Sequence, residues 1–265
     1  MESEPYSTTD RGKPGISGVL ITYQAEKYLA SILEAIGPLC EEIIIVDSGS
    51  TDRTEAIARS AGARFVREPW RGYGPQKNFA NSLATQPYIL SLDADELPDA
   101  TLLRALHQAK QEGLRGAYRF CRLPIWCGRP VRHSGWYPDY KVRLFPSAGT
   151  QWSDDPVHEK LLLPPHIPIT NLPGHLLHYS YTSKASHLEK TLHYARLQAI
   201  GLSQKSPWVL HLGRWLKPPF TFIRHFILWK GFLDGLAGYH IARITALGVR
   251  ERYTQALRLK NQRLG

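Results

Sequence analysis

The strongest constraint on the fold is an alternation of short β-branched runs with helix-period segments across residues 16–113. ISGVLIT (16–22), EEIIIVD (41–47), RFVRE (64–68) and PYILSLDAD (87–95) read as strands, since buried strands appear as short, continuous apolar runs. KYLASILEAI (27–36), SGSTDRTEAIARSAG (48–62), PQKNFANSLAT (75–85) and PDATLLRALHQAKQEG (98–113) read as the helices between them. Ser50 or Thr51 is the expected cap of the second helix. Such a rhythm predicts a parallel sheet covered on both faces, and ligands of such sheets bind at the carboxyl ends of the strands. The expected fold is therefore α/β with a Rossmann-like, mostly parallel sheet.

After about residue 116 the rhythm changes. GAYRFCRLPIWCG, YPDYKVRLF and LPGHLLHYSY read as strands separated by Pro-rich segments, and from 184 the chain reads as helical. The expected organisation is a disordered N-terminus over 1–15, a nucleotide-binding half over 16–115, a β-rich acceptor-side half over 116–181 and a helical basic extension over 182–265. Charge follows this division. Residues 1–180 hold 19 Lys+Arg and 20 Asp+Glu, a net of −1, whereas 181–265 hold 14 and 3, a net of +11. A basic region suits nucleic acid, anionic lipid or an acidic substrate. No R-G-G run, RNP aromatic set or helix-turn-helix signal supports nucleic acid. The polar N-terminal segment has no signal-peptide pattern. Charges interrupt the apolar stretch 220–248 before it reaches the roughly 18 residues of a membrane span. Cys40, Cys121 and Cys127 cannot all pair and match no zinc spacing, so a reducing compartment is expected.

Two acidic motifs fall at expected strand tips. Asp93-Ala94-Asp95-Glu96 brings carboxylates together, which is costly unless a cation sits between them, and hard divalent ions prefer such oxygens. Its bland alternative is an acidic turn before a helix cap. Asp47 precedes Ser48-Gly49-Ser50-Thr51-Asp52. It can accept from a base or ribose, or the segment can simply cap a helix. Carboxylates of both tips are expected in one cleft. No G-x-G-x-x-G is present, which disfavours a dinucleotide site.

In order and spacing, Leu20-Ile21-Thr22-Tyr23-Gln24-Ala25-Glu26, VDSGSTDRT, Gln76-Lys77-Asn78-Phe79-Ala80 and LDADE at 92–96 resemble the family 2 glycosyltransferases. These are inverting enzymes of the GT-A fold that use nucleotide sugars. Ser48 departs from the second Asp of many members. The resemblance implies that Thr22, Tyr23, Glu26 and Asp47 line the nucleotide pocket and that Lys77 approaches the diphosphate. It also implies that Asp93 lies near the ribose or a metal-bound water, and that Asp95 binds Mg²⁺ or Mn²⁺. It assigns the base to Glu159, with Asp155 and Asp154 behind it, and offers His158 or His178 as a further metal ligand. Trp136, Tyr137 and Trp152 are a sugar platform or core, because aromatic faces bury the C–H side of a pyranose. The R-L-F…W…V-H-E run, H-Y-S-Y at 178–181 and Lys230-Gly231-Phe232-Leu233-Asp234-Gly235 resemble the lipopolysaccharide inner-core β-1,4-glucosyltransferase subset. That subset implies a UDP-sugar donor, UDP-glucose or a similar one, a lipid-linked oligosaccharide acceptor and a cytoplasmic enzyme at the inner face of the inner membrane. Another nucleotide sugar for a different surface glycan stays open, as do membrane contact through the tail and oligomerisation.

Overall fold

The computed structural model describes residues 14–155 and 159–264. Most of the expected disordered N-terminus (1–13) and His158 lie outside them. The chain divides into two compact units, one made of the residues up to Arg122 with Tyr140–Leu177, the other of Leu123–Asp139 with the residues from His178 on. The 116–181 segment is thus shared between the two units.

In the first unit, β1 (Ile16–Thr22) lies between β2 (Glu42–Asp47) and β4 (Tyr88–Asp93), and β3 (Arg64–Arg67) extends the sheet beyond β2. All three pairings are parallel. Helices cover both faces, so these strands need apolar side chains on both sides, and that requirement explains their continuous runs. One face carries Leu20, Ile45, Leu90 and Leu92 against α1 (Glu26–Ile36) and α4 (Ala100–Glu112). The other carries Val19, Ile44, Val46 and Ile89 beneath Ala80 of α3 (Tyr73–Ser82). The sheet continues through β8 (Asp139–Pro146), antiparallel to β4, then β6 (Ala117–Trp126), β11 (Ile169–Tyr181) and β5 (Glu96–Pro98); the ends of β6 and β11, and β7 (Arg129–Pro130) paired with β6, belong to the second unit. A small ladder of β9 (Gln151–Trp152) and β10 (Leu161–Leu162) stands apart. The fold is α/β, with a parallel β3–β2–β1–β4 half that β8 continues in the antiparallel sense.

Local capping differs from expectation at one place. The second helix, α2 (Thr54–Ser60), starts later than Ser50 or Thr51. Arg53 is its N-cap position, and Asp52 just before it satisfies the first turn, its Oδ1 accepting from the Thr54 amide at 3.0 Å and the Thr54 hydroxyl at 2.5 Å. Ser50 and Thr51 instead bond the neighbouring loop, accepting from the Gln24 amide and side chain at 2.8 and 2.9 Å. Asp99 caps α4 as its position suggests, accepting from Leu102 N at 2.8 Å.

The second unit is helical: α5 (Lys184–Leu202), α6 (Pro207–Ile223), a π-helical turn Arg224–Leu228, a 3₁₀ turn Gly231–Asp234 and α7 (Leu236–Leu264). Trp126, Val131, Ala237, Ile241 and Ile244 form its core. Among the described residues, no helix is long and apolar enough to cross a membrane.

Candidate functional site

The parallel register sets Thr22 beside Asp47 and Ile21 beside Asp93, so both acidic strand tips flank the end of β1. In-register neighbours of a parallel pair share a face, and faces alternate along a strand. Asp47 therefore leaves the sheet on the Thr22 face, and Asp93 leaves on the opposite, Ile21 face. The two carboxylates end at the same edge but do not meet.

Asp47 is 1% exposed. Its Oδ1 accepts from the amides of Gly49 and Ser50 at 2.9 and 2.7 Å. Its Oδ2 accepts from the hydroxyls of Thr22 and Ser50 at 2.8 and 2.6 Å. A carboxylate offers about four lone-pair sites, and all four are used. Gly49 completes the turn at φ +98°, a conformation that favours glycine. Asp47 thus builds the β2–α2 turn. Around it the two loops are cross-bonded: Glu26 N donates to Asp52 Oδ2 at 3.1 Å, and Arg53 N donates to Glu26 Oε2 at 3.1 Å. Tyr23, 65% exposed, stands at the tip of β1.

The other face holds a chain of alternating charges. Lys77, 4% exposed, lies on α3 with its ammonium 2.9 Å from Asp93 Oδ1 and 3.0 Å from Glu159 Oε1. It also sits 4.5 Å over the Trp152 ring. Arg143 donates to Asp93 Oδ2 and to Glu96 Oε1, both at 2.6 Å, and Arg122 reaches Glu96 Oε1 at 3.3 Å. Glu96 Oε2 closes the turn by accepting from Asp93 N at 3.1 Å. Three cations and three carboxylates alternate, so the cluster is neutral. Burial alone would lower the guanidinium pKa of Arg143, but Asp93 and Glu96 outweigh it and hold it above its usual range.

The QKN motif explains how these groups are held. Gln76 Nε2 donates to Glu68 O at 3.2 Å and Ser48 Oγ at 3.3 Å, tying α3 to the β2 turn. Asn78 exchanges two bonds with the Trp152 backbone, donating to its carbonyl at 2.8 Å and accepting from its amide at 2.7 Å. Gly74, one turn earlier, lets Ser153 O approach so closely that a Cβ there would lie 1.9 Å from it. Positions 74, 77 and 78 share one helix face. That face clamps the β9 segment, and the return of the chain through Lys160, whose carbonyl accepts from Ser153 N at 2.8 Å, carries Glu159 to Lys77.

Thr22 and Asp47 meet, as do Lys77, Asp93 and Glu159. Asp95 is half-buried in the turn between β4 and β5. Asp154 and Asp155 are exposed, and Asp155 accepts from Ser153 Oγ at 2.8 Å. Trp152 is 6% exposed and stacks edge-on against Phe145, so it is core and not a platform. Trp136, Tyr137 and His178 belong to the second unit. Trp136 packs on that unit's core beside Tyr181 and His187, and His178 hydrogen-bonds Ser180. Arg143, Glu96 and Asn78 lie inside the R-L-F, LDADE and QKN motifs, which by themselves give them no role. For Arg143 the signal is a charge inside an apolar strand: it sits between Val142 and Leu144, and a buried charge requires a partner.

The carboxyl ends of the strands are where open α/β sheets bind their ligands, and the D-x-D turn and the Lys77–Glu159 pair lie at that edge. The chain belongs to the glycosyl transferase family 2, whose model it matches over residues 17–163. It is 30% identical over 254 residues, 90% of this chain and 93% of that one, to the lipopolysaccharide core biosynthesis glycosyltransferase LpsC of Rhizobium meliloti. An uncharacterized glycosyltransferase of Rickettsia conorii is 43% identical over 81 residues, covering 31% of this chain and 29% of its own. The glucosyl-3-phosphoglycerate synthase of Mycobacterium tuberculosis, solved with Mn²⁺, UDP and glucosyl-3-phosphoglycerate, aligns with 25% identity and a TM-score of 0.34, over 43% of this chain and 44% of that one. The protein is thus a glycosyltransferase.

Proposed function

We propose that this glycosyltransferase moves a hexose from a UDP-sugar onto a core sugar of lipopolysaccharide, with inversion, and that Glu159 is the base. The observation that carries the reading is Lys77, whose single ammonium spans Asp93 at the D-x-D tip and Glu159 from a segment 82 residues away. Inversion needs one group to take the acceptor hydroxyl's proton while the bond to the diphosphate breaks on the opposite face of the sugar. Glu159 Oε1 is pinned by Lys77, and its Oε2 carries the lone pair for that proton. Proton, new C–O bond and departing UDP then balance within one displacement. The lipopolysaccharide acceptor is supported by the end-to-end similarity to LpsC. Such an acceptor is lipid-linked.

Thr22, Tyr23 and Glu26 are the pocket for the nucleotide in this reading, with Asp47 holding the turn beneath them. Asp95 is the residue for Mg²⁺ or Mn²⁺. Among the described residues no three His, Cys, Asp or Glu side chains form a cage for an ion. One carboxylate suits an ion that arrives with its nucleotide, because Mg²⁺ takes one or two carboxylates and fills its remaining positions with phosphate oxygens and water. When bound, the ion neutralises charge on the leaving diphosphate.

UDP release from UDP-glucose, measured against a panel of other UDP- and dTDP-sugars with and without Mn²⁺, tests this. Glu159→Gln is expected to lower kcat about a thousandfold with donor KM within about threefold. Asp95→Asn is expected to abolish metal-stimulated turnover. A Glu159→Gln enzyme with near-normal kcat refutes the assignment.

A further inference from the structure

The second unit carries an apolar face turned outward. Along α6 and the π-helical turn, Trp208, Leu212, Trp215, Phe220, Ile223 and Ile227 follow helical spacing, and each is 45–68% exposed. The opposite side of α6 is the packed one: Leu210 is fully buried, and a side chain at Gly213 would lie 2.2 Å from the Tyr253 ring of α7. The stripe continues through Leu228, Phe232 and Leu236, which is 71% exposed. A helix on a water-facing surface shows the reverse pattern. Contiguous exposed apolar patches mark interaction surfaces, and nine large side chains, each 45–71% exposed, lie along this stripe.

Charge says what covers it. From 207 to 250 the sequence has six Lys+Arg and one acid, Asp234. Asp234 is 6% exposed and turned inward, accepting from the amides of Arg132 and His133 at 3.1 and 3.0 Å and facing His133 Nδ1 at 3.0 Å. The cations frame the indoles: Arg214 and Arg250 lie 5.8 and 5.7 Å from the Trp215 ring, and Arg224 lies 4.7 Å from that of Trp229. Indole and guanidinium groups both favour the headgroup layer of a bilayer. At the end of the stripe, Arg132, His133, Tyr137, Trp229 and Lys230 line a hollow of about 190 Å³. Its shape is fixed by Asp234 and by the bond from Ser134 N to Trp229 O at 2.9 Å. A second copy of the chain would set these cations against their like, whereas an anionic bilayer supplies the opposite charge.

We infer that this face lies in the surface of a bilayer containing anionic phospholipid, with the apolar stripe among the upper acyl chains and a lipid phosphate in the Arg132–His133–Lys230 hollow. Amphipathic helices lie in this way, and basic residues add attraction that salt weakens. The inference draws on the proposed function only in that a lipid-linked acceptor shares this surface. Vesicle binding is measured with neither donor nor acceptor, so the two stand or fall separately.

The test is flotation of the full chain with vesicles of phosphatidylcholine, alone or mixed with phosphatidylglycerol. The protein is expected to float with the mixed vesicles and to bind the neutral ones at least about tenfold more weakly. The Trp208→Gln/Leu228→Gln double variant is expected to lose binding to both. Arg132→Gln/Lys230→Gln is expected to narrow the preference for anionic lipid. In the unaltered protein, brominated acyl chains are expected to quench tryptophan fluorescence, a readout that needs no variant to fold. An unaltered protein that stays with the unfloated fraction at low salt, shows no quenching, or buries the face in a stable dimer that does not float overturns the inference.

Discussion

The two compact units treat charge in opposite ways. The first holds 17 Lys+Arg against 19 Asp+Glu, and its central cations are buried and matched: Lys77 between Asp93 and Glu159, Arg143 between Asp93 and Glu96. The second holds 16 against 4, and among its cations Arg214, Arg224 and Arg250 stand beside the rings of an exposed apolar face. A buried charge is affordable only when paired, so the first unit uses charge to fix geometry. An unmatched cation stays in water or meets an external anion, so the second unit's charges look outward.

The sharpest way to break this contrast is Arg143→Met. Removing the cation between them leaves Asp93 with Lys77 alone and Glu96 with Arg122 alone, a buried cluster with one negative charge in excess, and the expected loss is about 3–5 kcal/mol of first-unit stability, read by denaturant unfolding. Adding Glu96→Gln is expected to restore part of it. A loss below about 1 kcal/mol would show that the network is solvated and does not position the site.

The second unit has its own buried titratable group. His187 is 2% exposed, and burial pushes its pKa down from 6.5 to about 4. Its Nδ1 accepts from the Trp126 indole at 3.1 Å, a bond that needs the neutral ring. The unfolded chain therefore takes up the proton first. The stabilising effect is complete above pH 6.5 and is lost as pH falls toward 4, by about 3 kcal/mol in all. His187→Gln is expected to flatten that slope in thermal melts across the window, and an unchanged slope would place the acid sensitivity elsewhere.

The smallest expected effect is at Asp52. Replacing it with Ala removes the acceptor for the Thr54 amide in the first turn of α2 and the acceptor for Glu26 N, at a cost of about 1 kcal/mol. Ser50→Ala, by contrast, is expected to act through the Asp47 turn and the Gln24 loop. If Ser50→Ala shortened α2 in hydrogen exchange and Asp52→Ala did not, the assignment of this role to Asp52 would fail.

Much of the first unit was legible in the chain. The strands near 16–22, 41–47, 64–68 and 87–95 and their connecting helices follow from local apolar patterning, because a parallel sheet covered on both faces demands continuous runs. The candidacy of Lys77, Asp93 and Glu159 followed from the resemblance of their motifs to the family. Their meeting did not, because it depends on Gly74 and Asn78 docking a segment more than 70 residues away. Asp47 was legible as a strand-end acid but not as a saturated one, since its partners include Thr22 from another strand.

The outward face of α6 shows the limit most plainly. Its amphipathic pattern is written in the residues, yet periodicity reports only that a helix has an apolar side, not which way that side turns. The sequence by itself determined the α/β frame, the acidic tips and the basic end, which are set by local pattern and composition. Tertiary structure decided which charges pair, which aromatics are core and which apolar surface is left uncovered. Those outcomes depend on contacts between residues far apart in the chain, where burial and desolvation fix the energy of each group.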